Sequence, residues 1–221
     1  MVTVALIGAH GAGKTTLGRA LERSDEFPIK YLYMGLGARS SGSPLPTTRA
    51  LLEFEDVLGL GDAAAARRER AGRLPRGFLD ALGSALAFCA SAGEEWYRAS
   101  LARRFERRGF VVLCDRHFFV DYWIHDLARA GRTLLQRAHG RFLARLPRPD
   151  CTIVLDAPAA VLSARKGGAP ERLERRRREY LALQNVLGNC RVVDADRPQG
   201  EVEAEVLGIL RELTTDGEHV S

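Results

Sequence analysis

The sequence predicts an α/β fold in which helices flank a parallel sheet of five strands, and three observations lead there. Five short runs rich in aliphatic and β-branched residues alternate along the chain with longer stretches of helical period. Most of these runs are continuously apolar, the pattern of strands covered on both faces. The first run passes directly into a glycine-rich segment and then into a helical pattern, the order strand, loop, helix. At 221 residues, 46% of them hydrophobic and 28% charged, the chain suits one globular domain, and disorder or a fibrous fold is excluded.

The five predicted strands are Val2 to Gly8, Lys30 to Met34, Phe110 to Asp115, Cys151 to Asp156 and Cys190 to Asp194. The first helix should start in the glycine-rich turn and run from Lys14 to Arg23, with Leu17, Ala20 and Leu21 on its inner face. Gly35 to Thr48 reads GLGARSSGSPLPTT, a loop composition. It follows the carboxyl end of a strand, where ligands bind in open α/β sheets, so it is either a substrate cover or a surface insertion. Thr47 to Arg70 and Phe78 to Arg108 read as long helices, separated by the break Leu74-Pro75-Arg76-Gly77. The domain is expected to span residues 1–213, with residues 214–221 a polar, frayed tail.

Charge and cysteine content narrow the function classes. Thirty-three Lys and Arg against 28 Asp and Glu leave a net charge of +5, but Arg103-Arg104, Arg107-Arg108 and the Arg175 run carry interspersed glutamates and no interleaved aromatics. They read as solvated helix faces, so nucleic acid is not expected as a partner. No apolar run approaches the roughly 18 residues of a membrane span, and Met1 to Gly8 lacks the basic start and cleavage site of a secretory signal. A cytoplasmic protein without a membrane partner is the expectation. Cys89, Cys114, Cys151 and Cys190 stand far apart. They fit small core residues better than a disulfide framework or zinc site.

Gly8-Ala9-His10-Gly11-Ala12-Gly13-Lys14-Thr15 matches G-x-x-x-x-G-K-[ST] in full. The glycines let the backbone curl so that successive N–H groups converge on a nucleotide phosphate at the positive end of the helix. Lys14 brings a point charge to the β and γ oxygens, Thr15 a hydroxyl for Mg²⁺, and Thr16 a donor for an α-phosphate oxygen. A nucleoside triphosphate with Mg²⁺ is the expected ligand. His10 occupies a variable position of the loop.

The third strand ends in Asp115-Arg116-His117. A carboxylate at a strand's carboxyl end beside this loop can hold Mg²⁺ through water, and the next arginine can meet the phosphoryl group in flight. The competing reading is an Asp that caps the following turn. A basic cluster follows later: Arg165, Lys166, Arg172, Arg175, Arg176, Arg177 and Arg178, interrupted by Gly167-Gly168-Ala169-Pro170. The break suggests a short lid, about residues 166–178. One or two of its arginines, Arg172 the candidate, would neutralise charge on the γ-phosphate when it closes. The rest would be solvated or paired with Glu171, Glu174 and Glu179.

Taken with Pro149 to Ala157, Leu162-Ser163-Ala164-Arg165, Arg178 to Leu183 and Val192-Val193-Asp194-Ala195, these motifs resemble the P-loop nucleoside monophosphate kinase group, and most of all thymidylate kinase. The resemblance covers Val2 to Arg23 and Phe110 to Leu213. It implies a P-loop NTPase fold with sheet order 2-3-1-4-5, ATP with Mg²⁺ as phosphoryl donor, and a closing lid. It also implies that Arg165 stacks on the adenine, that Ala195 to Pro198 line the other side of the base, and that Arg116 and a lid arginine clamp the transferring group. A homodimer is a candidate assembly.

The acceptor half departs from that pattern. The family's Arg-Glu-Pro-Gly-Gly segment after the second strand is replaced by Gly35-Leu36-Gly37-Ala38-Arg39-Ser40-Ser41-Gly42, and its Asp-Arg ahead of the third strand falls on Gly93-Glu94. Arg39 and Arg98 are the candidates to offset Glu94 against an acceptor phosphate. The expected function is ATP-dependent transfer of a phosphoryl group to a nucleoside monophosphate. The first alternative is a kinase acting on a hydroxyl of a nucleoside, sugar or natural-product intermediate, with Glu53, Glu55 or Asp115 as base. The second is a nucleotide-binding switch protein.

Overall fold

The first buried run, TVALI, has Val4, Ala5 and Leu6 fully covered, and it forms the central strand because both of its faces find apolar partners. The computed structural model describes residues 2–34, 78–117, 134–143, 145–185 and 187–218. The described strands are β1 (Thr3–Ile7), β2 (Ile29–Tyr33), β3 (Val111–Asp115), β4 (Cys151–Asp156) and β5 (Cys190–Asp194). They form one parallel sheet in the order β2-β3-β1-β4-β5. The P-loop NTPase architecture expected from the sequence is therefore present. Edge strand β5 covers only Val193 fully, leaving Arg191, Val192 and Asp194 exposed. Charged and partly wetted positions are what an edge tolerates.

Six helices are described: α1 (Lys14–Leu21), α2 (Phe78–Glu106), α3 (Leu134–Leu143), α4 (Ala159–Lys166), α5 (Pro170–Leu181) and α6 (Gln199–Glu218), with a 3₁₀ turn at Ala182–Asn185 after α5. Alternation along β1 divides the core. Val4 and Leu6 join Leu17, Leu21, Val206 and Leu210 of α1 and α6 on one face. Val112 and Cys114 of β3 join Ala99, Ala102 and Leu143 of α2 and α3 on the other.

Three details differ from the sequence reading. The inner face of α1 is Leu17, Gly18 and Leu21 rather than Leu17, Ala20 and Leu21. Gly18 lies under the ring of Tyr31, and a Cβ there would stand 2.3 Å from Tyr31 Cδ2, so only glycine lets the helix approach β2 this closely. At the carboxyl terminus, α6 continues past Thr214 to Glu218. The hydroxyls of Thr214 and Thr215 donate back to the carbonyls of Leu210, Arg211 and Glu212, so these polar side chains are satisfied within the helix. Finally, Cys114 and Cys151 are buried as expected but Cys89 is exposed, and all four thiols are free. Burial pushes the Cys151 thiol up to about 11, so it stays protonated. The loop of Gly35 to Thr48, the helix of Thr47 to Arg70 and the break at Leu74 to Gly77 lie outside the described residues.

Candidate functional site

The parallel sheet brings the carboxyl ends of β1, β3 and β4 side by side, and the glycine-rich loop sits there. Gly8 opens it at φ 145, and a Cβ at this position would stand 2.4 Å from the Leu155 carbonyl oxygen. Only glycine allows the loop to turn against β4. Gly13, left-handed, caps α1 without any side-chain hydrogen bond, so the first N–H groups of the helix are available to an anion. Lys14 Nζ donates to the carbonyls of Gly8 (2.8 Å) and Ala9 (3.0 Å), spanning the loop it would share with a phosphate. His10 is exposed. Partial burial first, then the charges of Lys14, Arg116 and Lys166, lower its pKa, so a neutral imidazole stands in a cationic neighbourhood.

Asp115 is brought to the loop by the β1–β3 pairing, which sets Leu6 opposite Asp115. Its Oδ2 accepts from Thr15 Oγ1 at 2.9 Å and from Tyr31 OH at 2.7 Å. Its Oδ1 is buried and, among the described residues, has no hydrogen-bond partner. An orphaned carboxylate oxygen is costly unless something binds it. A hard divalent cation fits this donor set of one carboxylate and one hydroxyl, because Thr15 gives its proton to Asp115 and keeps its lone pairs. Among the described residues no group of three or more His, Cys, Asp or Glu could hold a metal ion. An ion here would complete its shell with phosphate oxygens and water, as Mg²⁺ does.

Arg116 follows in an exposed left-handed conformation, φ 57, with its guanidinium 6.0 Å from the centre of the Tyr33 ring. A non-glycine residue held at positive φ stores strain, of the kind that gathers at working sites. His117 is buried, which depresses its pKa to about 3, so it is a neutral packing group. Across the sheet, Arg165 Nη1 donates to the Ala195 carbonyl at 2.9 Å, and Nη2 lies 3.7 Å from Asp196 Oδ1. Two segments 30 residues apart thus meet, and Pro198 starts α6 beside them, its carbonyl accepting from Glu201 N.

No protein family model matches the chain. It is 28% identical over 222 residues to a probable thymidylate kinase of Pyrobaculum aerophilum, covering 96% of this chain and 98% of the relative. It is 29% identical over 230 residues to a thymidylate kinase of Symbiobacterium thermophilum, covering 96% and 94%. A shorter match, 35% over 112 residues, joins 45% of the chain to 53% of a thymidylate kinase of Methylococcus capsulatus. The chain is a thymidylate-kinase-like P-loop phosphotransferase. No described helix is long and apolar enough to cross a membrane.

Within this thymidylate-kinase-like site the remaining predicted residues fall into three groups. Gly8 to Thr16, Asp115 and Arg116 converge on the carboxyl edge of the sheet, and Arg165 and Ala195 meet farther along the same edge, past the end of β5. Arg98 lies at the carboxyl end of β2, where its Nη1 donates to the Tyr33 carbonyl at 3.2 Å. It is 6% exposed and paired with Glu94, itself 1% exposed, at 2.8 Å through Nε and 2.7 Å through Nη2. The i, i+4 spacing on α2 allows this pairing. Arg172 is exposed on the first turn of α5, and Arg39, Glu53 and Glu55 lie outside the described residues.

Two residues escaped the sequence reading. Tyr31 looked like any strand aromatic, yet its hydroxyl reaches Asp115. Arg177 was one of four consecutive arginines, yet it alone reaches β4: its Nε and Nη2 donate to the two Asp156 oxygens at 2.7 and 2.8 Å. These bonds raise the Arg177 pKa further above its already high value. Arg176 and Arg178 pair with Glu179 and Glu174 on their own helix. The fork ties α5 to the strand that ends beside the loop, a geometry that lysine cannot reproduce. Arg177→Ala is expected to cost about 1–3 kcal/mol, the range of hydrogen bonds to charged groups, while Arg178→Ala, at a mostly exposed pair, should shift the melting temperature little. Equal melting temperatures for the two variants would contradict an anchoring role for Arg177.

Proposed function

We propose that the chain transfers the γ-phosphoryl group of ATP, with Mg²⁺, to a nucleoside monophosphate. The observation that carries this reading is the constellation at the end of β3: Asp115 joined to Thr15, with one carboxylate oxygen unpartnered among the described residues, and Arg116 next to it. A phosphate monoester brings its own anionic oxygen to the reaction, so positioning and charge neutralisation suffice. The loop N–H groups and Lys14 bind the β and γ phosphates. Arg165 and the Ala195 turn hold the base. Arg116, fixed by its backbone conformation, places a planar fork toward the group in transfer, where charge spreads in the transition state. When bound, Mg²⁺ supplies neutralisation of the β and γ oxygens, and Thr15 and Asp115 would hold it.

The acceptor side departs from the thymidylate kinase pattern, and thymidine monophosphate is expected to be a poor substrate. Glu94 stands where the family's arginine is expected, and Arg98 is paired with it. A phosphate brought there meets a neutral pair instead of a free positive charge. An ADP-release assay over nucleoside monophosphates, nucleosides and sugars tests this. Thymidine monophosphate should turn over below the ordinary kinase range of about 1–100 per second, since its phosphate meets no net positive charge beside Glu94. Thymidine monophosphate as the best substrate, at about 1–100 per second, would overturn the acceptor reading and leave the transfer chemistry intact. A second reading, a hydroxyl acceptor, is favoured by the same Glu94–Arg98 pair, which offers an acceptor phosphate no net positive charge. Turnover confined to nucleosides or sugars would establish it in place of the first.

A further inference from the structure

We propose that Tyr31 is a positioning residue for the metal site, orienting the Asp115 carboxylate so that Oδ1 stays open for the cation. Two hydroxyls, Tyr31 OH and Thr15 Oγ1, converge on Oδ2, and Oδ1 is left buried without a partner among the described residues. A carboxylate has two chemically equal oxygens, so it needs an outside constraint to present one of them consistently. Hydrogen bonds from neighbouring groups are the usual constraint on ligating carboxylates. Thr15 is itself part of the donor set, so its orientation changes with the state of the site. Tyr31 comes from β2, outside that set, and supplies the constraint that does not depend on occupancy.

The surroundings of Tyr31 are built for this. It is 9% exposed and belongs to the main core, its strand is in register with β3 so that Tyr31 faces Leu113 and Tyr33 faces Asp115, and its ring is pressed on the bare backbone of Gly18. Glycine inside a helix is unfavourable by about 1 kcal/mol relative to alanine, and here it opens the space in which the ring extends its hydroxyl to Asp115. The ring is fixed by packing and the hydroxyl by its geometry, which is what precise support of a functional carboxylate requires.

This inference rests on the reading of Asp115 and Thr15 as the metal-holding pair, and the experiment separates the two. Tyr31→Phe keeps the ring on Gly18 and removes only the hydroxyl. ADP binding is measured by calorimetry on the full chain across a Mg²⁺ series, with thermal melting and steady-state kinetics beside it. Tyr31→Phe is expected to raise the Mg²⁺ concentration at half effect about fivefold and to lower kcat, with metal-free ADP affinity unchanged and the melting temperature within a few degrees of wild type. Gly18→Ala, which displaces the ring without deleting the hydroxyl, should shift the Mg²⁺ dependence in the same direction. An unchanged Mg²⁺ dependence in Tyr31→Phe and Gly18→Ala would overturn the role of Tyr31, as would a Tyr31→Phe chain that no longer melts cooperatively, since the hydroxyl would then be a folding requirement. Asp115→Asn decides the underlying reading: if it too keeps the wild-type Mg²⁺ dependence, the metal assignment itself fails, and if it alone loses that dependence, only the Tyr31 role does.

Discussion

Lys14→Ala is expected to lower phosphoryl transfer by about 10²–10³-fold, the range seen when one preorganised donor to a developing charge is removed. The side chain donates to the loop carbonyls of Gly8 and Ala9 and belongs to none of the core clusters. Loss of these two bonds should cost about 1 kcal/mol, a shift of roughly 2–4 °C in the melting temperature of a chain this size. The activity loss therefore belongs to the chemistry, and calorimetric binding of ATP should fall with it. A folded Lys14→Ala protein with activity within tenfold of wild type would remove the loop from the mechanism.

Arg116 offers the second large effect. Arg116→Lys keeps a positive charge and loses the planar fork, so kcat should fall about 10²-fold while ATP affinity stays within about threefold. A contact made mainly in the transition state behaves this way. The left-handed backbone, φ 57, adds a check on stability. Arg116→Gly should raise stability by about 1 kcal/mol, because glycine occupies that region without strain, yet it should be as inactive as any deletion of the guanidinium. If Arg116→Lys instead changed only the KM of the acceptor, Arg116 would be a ground-state binding residue.

Much of the fold was legible because each of its signals was local. The bounds of β4 and β5 coincide with the sequence reading, β3 differs by one residue at its start, and β1 and β2 differ by one residue at each end, as at Gly8, where φ 145 takes the chain out of the strand. The phosphate loop was legible because its glycines, lysine and threonine must be contiguous in sequence to be contiguous in space. What escaped depends on pairings between distant segments. Tyr31 and Asp115 are 84 positions apart, and nothing in the alternation of β2 separates a tyrosine that packs from one that also donates. Gly18 carried no signal in the sequence; its reason is the Tyr31 ring packed against it. The choice among Arg175 to Arg178 turned on which helix face meets Asp156, a matter of α5 against β4. Glu94 and Arg98 were legible singly, as a missing cation and its possible replacement, but their commitment to each other required side-chain geometry.

The most direct test follows the γ-phosphoryl group itself. With ATP labelled at the γ position, Mg²⁺ and a mixture of nucleoside monophosphates, the label should appear in a nucleoside diphosphate, ADP should form in equal amount, and omission of the monophosphates should stop both. Label released only as inorganic phosphate, at a rate indifferent to any acceptor, would contradict the account and make the chain a nucleotide-hydrolysing switch.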